Sequence, residues 1–387
     1  MVSRGPFPKE RAMPVRSTHS KKDDYLQDKA IPLFQKQLRD WYIAHCRPLP
    51  WRDTSDPYCI WISEVMLQQT QVKTVTPYYK KFLLRFSNVR QLAGADLQDV
   101  LKIWEGLGYY ARARNLHKAA KILMERHGGI LPDHAKSLRE LPGIGEYIAS
   151  AVSSIAYGKP YAVVDGNVKR VLSRLKMINM PVNRPASNRI FKDVADRLLD
   201  KKDPGRFNQA MMELGALVCT PRRPDCSGCP VEAFCQAFHS NAVDGYPKRD
   251  KKPKVPEYQI ATGVICKGRK VLITQRKPEG LLGGLWEFPG GKVKKDETAE
   301  AACIREIKEE TNLSVQTDEH IARIRHAYSH FKIVMDVFRC TYLDGRIRLN
   351  GPTDFQWIKV SDIDNYPFPG ANNKFIPLVK ELDMKSG

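Results

Sequence analysis

Glu64 stands in the apolar run Trp61-Ile62-Ser63-Glu64-Val65-Met66-Leu67, and Asp165 opens the segment Asp165-Gly166-Asn167-Val168-Lys169-Arg170. Apolar surroundings favour the protonated form of a carboxyl, which makes Glu64 a candidate acid at what reads as a buried helix start. Two carboxyls in different protonation states can cleave a glycosidic bond: one protonates the departing group and the other tolerates positive charge on the sugar. Each also has an ordinary structural alternative, a helix-start glutamate favoured by the helix dipole and an aspartate N-cap. Just before Asp165 lies Leu141-Pro142-Gly143-Ile144-Gly145-Glu146-Tyr147. Pro142 fixes the turn, while Gly143 and Gly145 leave backbone N–H groups able to approach an anion at the start of the next helix. Alone, Gly-x-Gly reads as a helix-turn-helix corner. Joined to the Asp165 segment with Lys169, it reads as a clamp on a DNA phosphate beside a catalytic carboxylate.

Two further groups could hold metal. Cys219, Cys226, Cys229 and Cys235 are separated by six, two and five residues. Four thiols on one short loop suit a single metal centre. Structural zinc sites more often carry two distant Cys-x-x-Cys pairs, and thiolates equally hold a four-iron, four-sulfur cluster, so spacing leaves both open with a tilt toward the cluster. The other five cysteines are scattered and read as small buried apolar residues. Further on, Glu306, Glu309 and Glu310 fall at i, i+3 and i+4 and share one helix face. Three acids so close repel one another unless a cation neutralises them, and hard oxygen ligands suit Mg2+ bridging phosphates.

The elements that must position these groups divide at a change of period. The 387-residue chain is long enough for two domains, and its net charge of +20 favours an anionic polymer as partner. Charge alone does not select DNA over RNA or a membrane surface. Residues 1–28 are polar, basic and proline-punctuated and read as a flexible arm. Over 29–240 apolar residues recur at helical spacing, as in Gln91 to Trp104, Leu116 to Arg126 and Asn188 to Leu199. Residues 241–256, rich in Pro and Lys, read as a semi-rigid linker. Over 257–387 the period becomes two, with strands expected at Tyr258–Cys266, Lys270–Gln275, Lys332–Thr341 and Phe355–Val360 and one helix at Thr298–Glu310. No apolar stretch reaches the roughly 18 residues of a membrane span and the N-terminus lacks a secretion-signal core, so the expectation is a soluble cytoplasmic protein, nucleoid-associated if prokaryotic.

The hairpin, the Asp165 segment, the cysteine spacing preceded by Glu213-Leu214-Gly215-Ala216, and the run Trp61 to Thr70 together resemble the MutY-type adenine DNA glycosylases of the helix-hairpin-helix superfamily. The resemblance runs from about Leu33 to the C-terminus. It implies a multidomain fold: an all-α glycosylase domain with an iron-sulfur loop, and an α+β Nudix-like domain. It implies a four-iron, four-sulfur cluster on the four cysteines and, as partner of a monomer, duplex DNA with adenine opposite 8-oxoguanine or guanine. Glu64 would protonate the adenine ring and handle the water, Asp165 would stabilise or covalently trap the oxocarbenium-like sugar, and Asn167 would support them. Tyr147 stands where strand-cutting relatives carry a nucleophilic lysine, which implies a monofunctional glycosylase. Trp51, Arg52 and Gln209 match the adenine pocket. Gln69 with Thr70, and Tyr109, match the wedge residues that fill the gap left by the extruded base, with Leu67 and Leu107 beside them in their motifs. Lys169, Arg170, Arg112 and Arg114 are further candidates for phosphate contact. A non-catalytic iron-sulfur damage sensor and a strand-cleaving pyrimidine glycosylase are the rivals; the pair Glu64 and Asp165 argues against the first, and Tyr147 and the second domain against the other.

In that domain Gly291-x5-Glu297-x7-Arg305-Glu306-Ile307-Lys308-Glu309-Glu310-Thr311-Asn312-Leu313 reproduces the Nudix box, except that Asn312 stands where glycine is expected. Asparagine tolerates the left-handed helix end better than most residues. The run His326-Ala327-Tyr328-Ser329-His330 resembles the family's 8-oxoguanine-sensing loop. Leu285 to Gly291 and the segment around Asn372 resemble MutT-type 8-oxo-dGTP hydrolases, with Asn372 reading the base. A second, Mg2+-dependent hydrolysis of 8-oxo-dGTP to the monophosphate is therefore an expectation of the sequence.

Overall fold

Apolar residues at three- and four-residue spacing dominate the chain as far as Leu217, and there the computed structural model, which describes residues 26–251 and 253–385, is helical. Contacts gather the described residues into two units that ignore chain order. One holds residues 26–46, Val164–Asp200 and Gln209–Asp250; the other holds Arg47–Val163, Lys201–Asn208 and the chain from Lys251 on. The single helical domain expected over 29–240 is thus shared between them.

In the first unit the helices Ile31–His45, Gly166–Leu175 and Asn188–Leu198 bury Phe34, Leu38, Val171, Leu172 and Phe191. Phe34 meets Phe234 edge-on at 5.7 Å. Gly215, on the helix Pro204–Leu217, lies so close to the start of Gly166–Leu175 that a Cβ on it would stand 2.6 Å from that of Asn167. Most of the arm expected over 1–28 lies outside the described residues. Its last residues are packed: Leu26 is fully buried with its carbonyl accepting from Lys176 Nζ, and Asp28 pairs with Arg197. The linker expected over 241–256 starts later. Tyr246 is buried and bonds Asn179, and Asp250 pairs with Arg184, so the chain is fastened as far as 250.

The second unit combines helices with a sheet. The helices Pro57–Leu67, Val72–Arg85, Leu97–Trp104, Ala111–His127 and Glu146–Ile155 surround a core containing Trp61, Phe82 and Trp104, all fully buried. Leu285 belongs to the same core, so the loop before the Nudix box is inserted among the helices. The sheet runs β3 (Trp286–Glu287), β2 (Lys270–Gln275), β1 (Glu257–Lys267), β6 (Lys332–Asp344), β5 (Ser314–Ala327), with β4 (Gly290–Lys292) beside β1 and β7 (Asp354–Lys359) beside β2. Only the β1–β6 pair is parallel among these pairings. The helix Ala299–Thr311 packs Cys303 and Ile307 against β1 and ends at Asn312, whose φ of 63° is the left-handed conformation expected of the missing glycine. Its amide donates to Arg346 O.

Candidate active site and cysteine loop

Glu64 lies in the last turn of the helix Pro57–Leu67, which Asp56 caps, and not at the helix start expected from the sequence. The carbonyl end of a helix disfavours an anion, so the dipole provides no ordinary reason for a glutamate there. Its side chain is buried, and the Tyr147 hydroxyl donates to Oε2 at 2.6 Å. Tyr147 follows the glycine hairpin directly. Gly143 has φ of 79°, and a Cβ there would stand 2.7 Å from that of Asn115, so the turn requires glycine twice over. No side chain caps Gly145 at the start of Glu146–Ile155, which leaves the leading N–H groups to an outside acceptor.

Two of the three candidate wedge residues share a feature invisible in the sequence: Gln69 (φ 57°) and Tyr109 (φ 51°) both adopt the left-handed conformation that non-glycine residues avoid. Arg112 connects their loops. Its guanidinium donates to Val65 O, Met66 O and Gln68 O at 3.0, 2.7 and 2.6 Å, to Thr70 Oγ1 at 3.2 Å, and to Leu107 O and Gly108 O at 3.4 and 3.0 Å. It thereby satisfies carbonyls at the end of the Glu64 helix that have no partner within it. Burial lowers its pKa to about 10, which still leaves it charged at neutral pH. Neither a phosphate contact nor a solvated charge describes Arg112. The same correction applies to Arg114, buried with its guanidinium on Gly280 O and Gly283 O, and to Arg170.

In the first unit Asp165 is the N-cap of Gly166–Leu175: Val168 N donates to Oδ1 at 2.6 Å and Asn167 Nδ2 to Oδ2 at 2.9 Å. Burial raises its carboxyl above the ordinary aspartate range, opposed by those two donors and Arg170. Asn167 Oδ1 in turn accepts from Arg170, whose guanidinium reaches Gly215 O and Cys219 O at 2.7 Å each. A continuous hydrogen-bond chain therefore runs from the carboxylate to the first cysteine. Lys169 is occupied within the fold by Asn188 Oδ1 and Val182 O. Gln209 accepts from the Tyr42 hydroxyl in this unit, whereas Arg52, bonded to Arg47 O, and Trp51, packed edge-on against Tyr79, belong to the other.

Cys219, Cys226, Cys229 and Cys235 line one cavity with Arg174, Pro224 and Phe238. Arg174 donates to Cys219 Sγ at 3.2 Å and to Thr220 O. Burial raises the thiols of Cys226, Cys229 (to about 12) and Cys235 (to about 11). Among the described residues no three Cys, His, Asp or Glu side chains converge closely enough to hold a single ion. Four thiols lining one cavity, with a cation beside one of them, are a donor set suited to a thiolate-bound metal centre.

The Nudix-box acids occupy two different environments. Arg305 binds Glu297 through two contacts (2.7 and 2.9 Å), Glu306 at 2.7 Å and Glu309 at 3.3 Å, which holds the Glu297 carboxyl down to about 2. Glu310 is pushed up to about 8 by burial and by Glu287, although Gly290 N donates to it. The repulsion expected of three acids on one face is thus relieved by an arginine and by burial. Carboxylate oxygens remain the right donors for Mg2+, which takes one or two of them together with substrate phosphates. Asn372, expected to read a base, is 3% exposed. Tyr328 stacks on Phe331 at 4.8 Å, and His326 meets its ring at 4.5 Å. Ser329 and His330 are exposed beside it, and the Ser329 hydroxyl makes a short contact with that of Tyr109.

Comparison with known proteins places the chain in a family. Residues 62–194 match the HhH-GPD superfamily of base excision DNA repair proteins, and residues 261–378 match the NUDIX domain. The chain is therefore a two-domain member of the base excision repair class. It is 34% identical over 407 residues to the adenine DNA glycosylase of Mus musculus, covering 91% of this chain and 78% of that protein. The adenine DNA glycosylases of Homo sapiens (35% identity; 80% and 67% covered) and Buchnera aphidicola subsp. Acyrthosiphon pisum (35%; 77% and 84%) are similar to the same extent. This chain belongs to the adenine DNA glycosylase family. A thermostable thymine-DNA glycosylase of known structure shares the helical fold, with TM-score 0.51 and 28% identity over 55% of this chain and 98% of that one. Among the described residues no helix is long and apolar enough to cross a membrane.

Proposed function

We propose that this chain hydrolyses the N-glycosidic bond of adenine paired with 8-oxoguanine in duplex DNA and leaves the strand uncut. The observation that carries the reading is the buried Glu64 carboxyl at the carbonyl end of its helix, held by Tyr147. Glu64 protonates the departing adenine. Asp165, oriented by Val168 N and Asn167, stabilises the cationic sugar. Tyr147, which relatives that cut the strand replace with lysine, orients Glu64 and offers no amine to attack the sugar. The hairpin amides at Gly143 and Gly145 hold a phosphate, while Gln69, Thr70 and Tyr109 fill the space left by the extruded base. Leu67 and Leu107 back those loops, and Trp51, Arg52 and Gln209 contact the adenine. Tyr328, Ser329 and His330 read the 8-oxoguanine.

Cys219, Cys226, Cys229 and Cys235 would hold a four-iron, four-sulfur cluster, which would fix the loop that Arg170 and Arg174 brace. A duplex with one adenine opposite 8-oxoguanine tests the reading: native protein releases adenine, and Asp165→Asn does not. Native-rate release by Asp165→Asn would refute the assignment. A second activity, Mg2+-dependent hydrolysis of 8-oxo-dGTP, is favoured by the box from Gly291 to Leu313, with Glu306, Glu309 and Glu310 as the residues that would hold the ion and Asn372 nearest the base. Monophosphate formation that survives Glu309→Gln would dismiss it.

A further inference from the structure

Glu105 ends the helix Leu97–Trp104 and begins the loop that carries Tyr109, and its side chain meets Phe368 and Asn373 of the Nudix fold and Lys102, which itself holds that fold. Its Oε1 accepts from Phe368 N at 2.8 Å and from Asn373 Nδ2 at 3.1 Å, while Oε2 accepts from Lys102 at 2.6 Å. Lys102 in turn donates to Tyr366 O at 2.9 Å. Two adjacent side chains thus fasten three backbone or side-chain groups of residues 366–373. Both are mostly buried, with the Glu105 side chain 16% exposed. The Glu105 carbonyl accepts from Tyr78, and Tyr110, whose hydroxyl accepts from Gly106 N, reaches Phe368 O. The fastened segment also backs the reading loop: Gly370 lies close enough to His326 that a Cβ on it would stand 3.2 Å from that ring, and Lys374 donates to Arg325 O. His326 packs on Tyr328, and the neighbouring Ser329 meets Tyr109.

We infer that Glu105 is a positioning residue for mispair discrimination: its carboxylate registers the loop carrying Tyr109 against the Nudix segment that supports Tyr328 and Ser329. An ionised acceptor serving a backbone N–H, an amide and an ammonium makes hydrogen bonds about twice as strong as neutral ones, and most of that strength disappears if the charge is removed. Nothing in the clamp touches the buried Glu64 carboxyl, and Arg112 and the Trp104 indole still hold the Tyr109 loop at Gly108 O without Glu105, so adenine removal opposite guanine does not depend on the clamp. Preference for 8-oxoguanine over guanine does. The inference rests on the mispair reading proposed above.

The test compares single-turnover adenine release from two duplexes, with 8-oxoguanine or guanine opposite the adenine, for native protein, Glu105→Gln and Glu105→Ala. Amide hydrogen exchange of Phe368 is followed in each protein. The ratio of the two rates falls about tenfold in Glu105→Ala, the rate equivalent of one charge-assisted hydrogen bond. Glu105→Gln, which keeps an acceptor for Phe368 N, falls between, and the rate opposite guanine stays within about twofold throughout. An unchanged ratio with faster Phe368 exchange overturns the inference, because the clamp has opened without effect. Equal loss on both duplexes overturns it as well, since a merely structural role would produce that result. If native protein has no preference between the duplexes, the mispair reading itself fails and the inference falls with it.

Discussion

Arg112 is the strongest single point at which the fold of the second unit can be challenged. Replacing it with Met keeps the apolar stem but removes the guanidinium, abandoning Val65 O, Met66 O, Gln68 O, Thr70 Oγ1, Leu107 O and Gly108 O. A buried acceptor left without a donor costs about 1–3 kcal/mol. Water can enter to replace the donors at the exposed Gln68–Thr70 side, so two or three of the six are lost outright, which gives about 3–5 kcal/mol for Arg112→Met. Trp104, whose ring lies 5.4 Å below the guanidinium, is a fluorescence reporter close to the site. Urea unfolding followed through tryptophan emission measures the loss. Adenine release should fall in parallel, because the left-handed backbone at Gln69 and Tyr109 is strained and relaxes once the loops are untied. A stability loss below about 1 kcal/mol, with activity intact, would refute the reasoning that Arg112 organises both loops.

Three other expectations follow from the same geometry. Burial raises the Asp165 pKa above its ordinary value of 3.8; since the ionised form is the active one, the rate should drop on acidification with a midpoint above that value, and a midpoint at or below it in a pH–rate profile would contradict the account. Glu310 titrates near 8 in the fold against 4.5 when exposed, so its neutral form stabilises the fold fully below about pH 4.5 and that contribution is lost as pH rises toward 8. In metal-free protein Glu310→Gln should therefore raise the Tm at pH 8 but not at pH 4, by the equivalent of a few kcal/mol at most; equal Tm values at pH 8 would count against it. Gly143→Ala should destabilise by about 1–3 kcal/mol through its left-handed backbone and weaken duplex binding, as calorimetry and a fluorescence titration would detect.

Much of this arrangement is legible in the sequence where one residue type does one job. Asn312 ends its helix left-handed as the missing glycine requires, and Lys270–Gln275 is a strand to the residue, its four inner residues Val271, Leu272, Ile273 and Thr274 all buried so that both faces are covered. The strand Ser314–Ala327 goes unread: most of its side chains are exposed or half-buried, and register shifts near Ser314, Thr317 and His320 break the alternation. Glu64 is legible as a carboxyl in apolar surroundings, but its place at the helix end depends on Asp56 and Pro57 setting the start. Arginines mislead most. Arg112, Arg114 and Arg170 look like surface charge for DNA, whereas Arg114 and Arg170 are buried, Arg112 is half-buried, and each guanidinium donates to backbone carbonyls of the fold. The division into units is equally hidden, because Lys201–Asn208 belongs with residues that precede it by tens of positions.

The central claim is that Glu64 and Asp165 act as acid and anion in one hydrolysis. It is tested most directly by chromatography of free adenine released from a duplex with adenine opposite 8-oxoguanine, by native protein, Glu64→Gln and Asp165→Asn, with the strand examined before and after alkali. The account predicts adenine release by native protein, a strand intact until alkali is added, and a loss of at least about 100-fold in either variant. Near-native release by either variant, or a strand already cut before alkali, would contradict it.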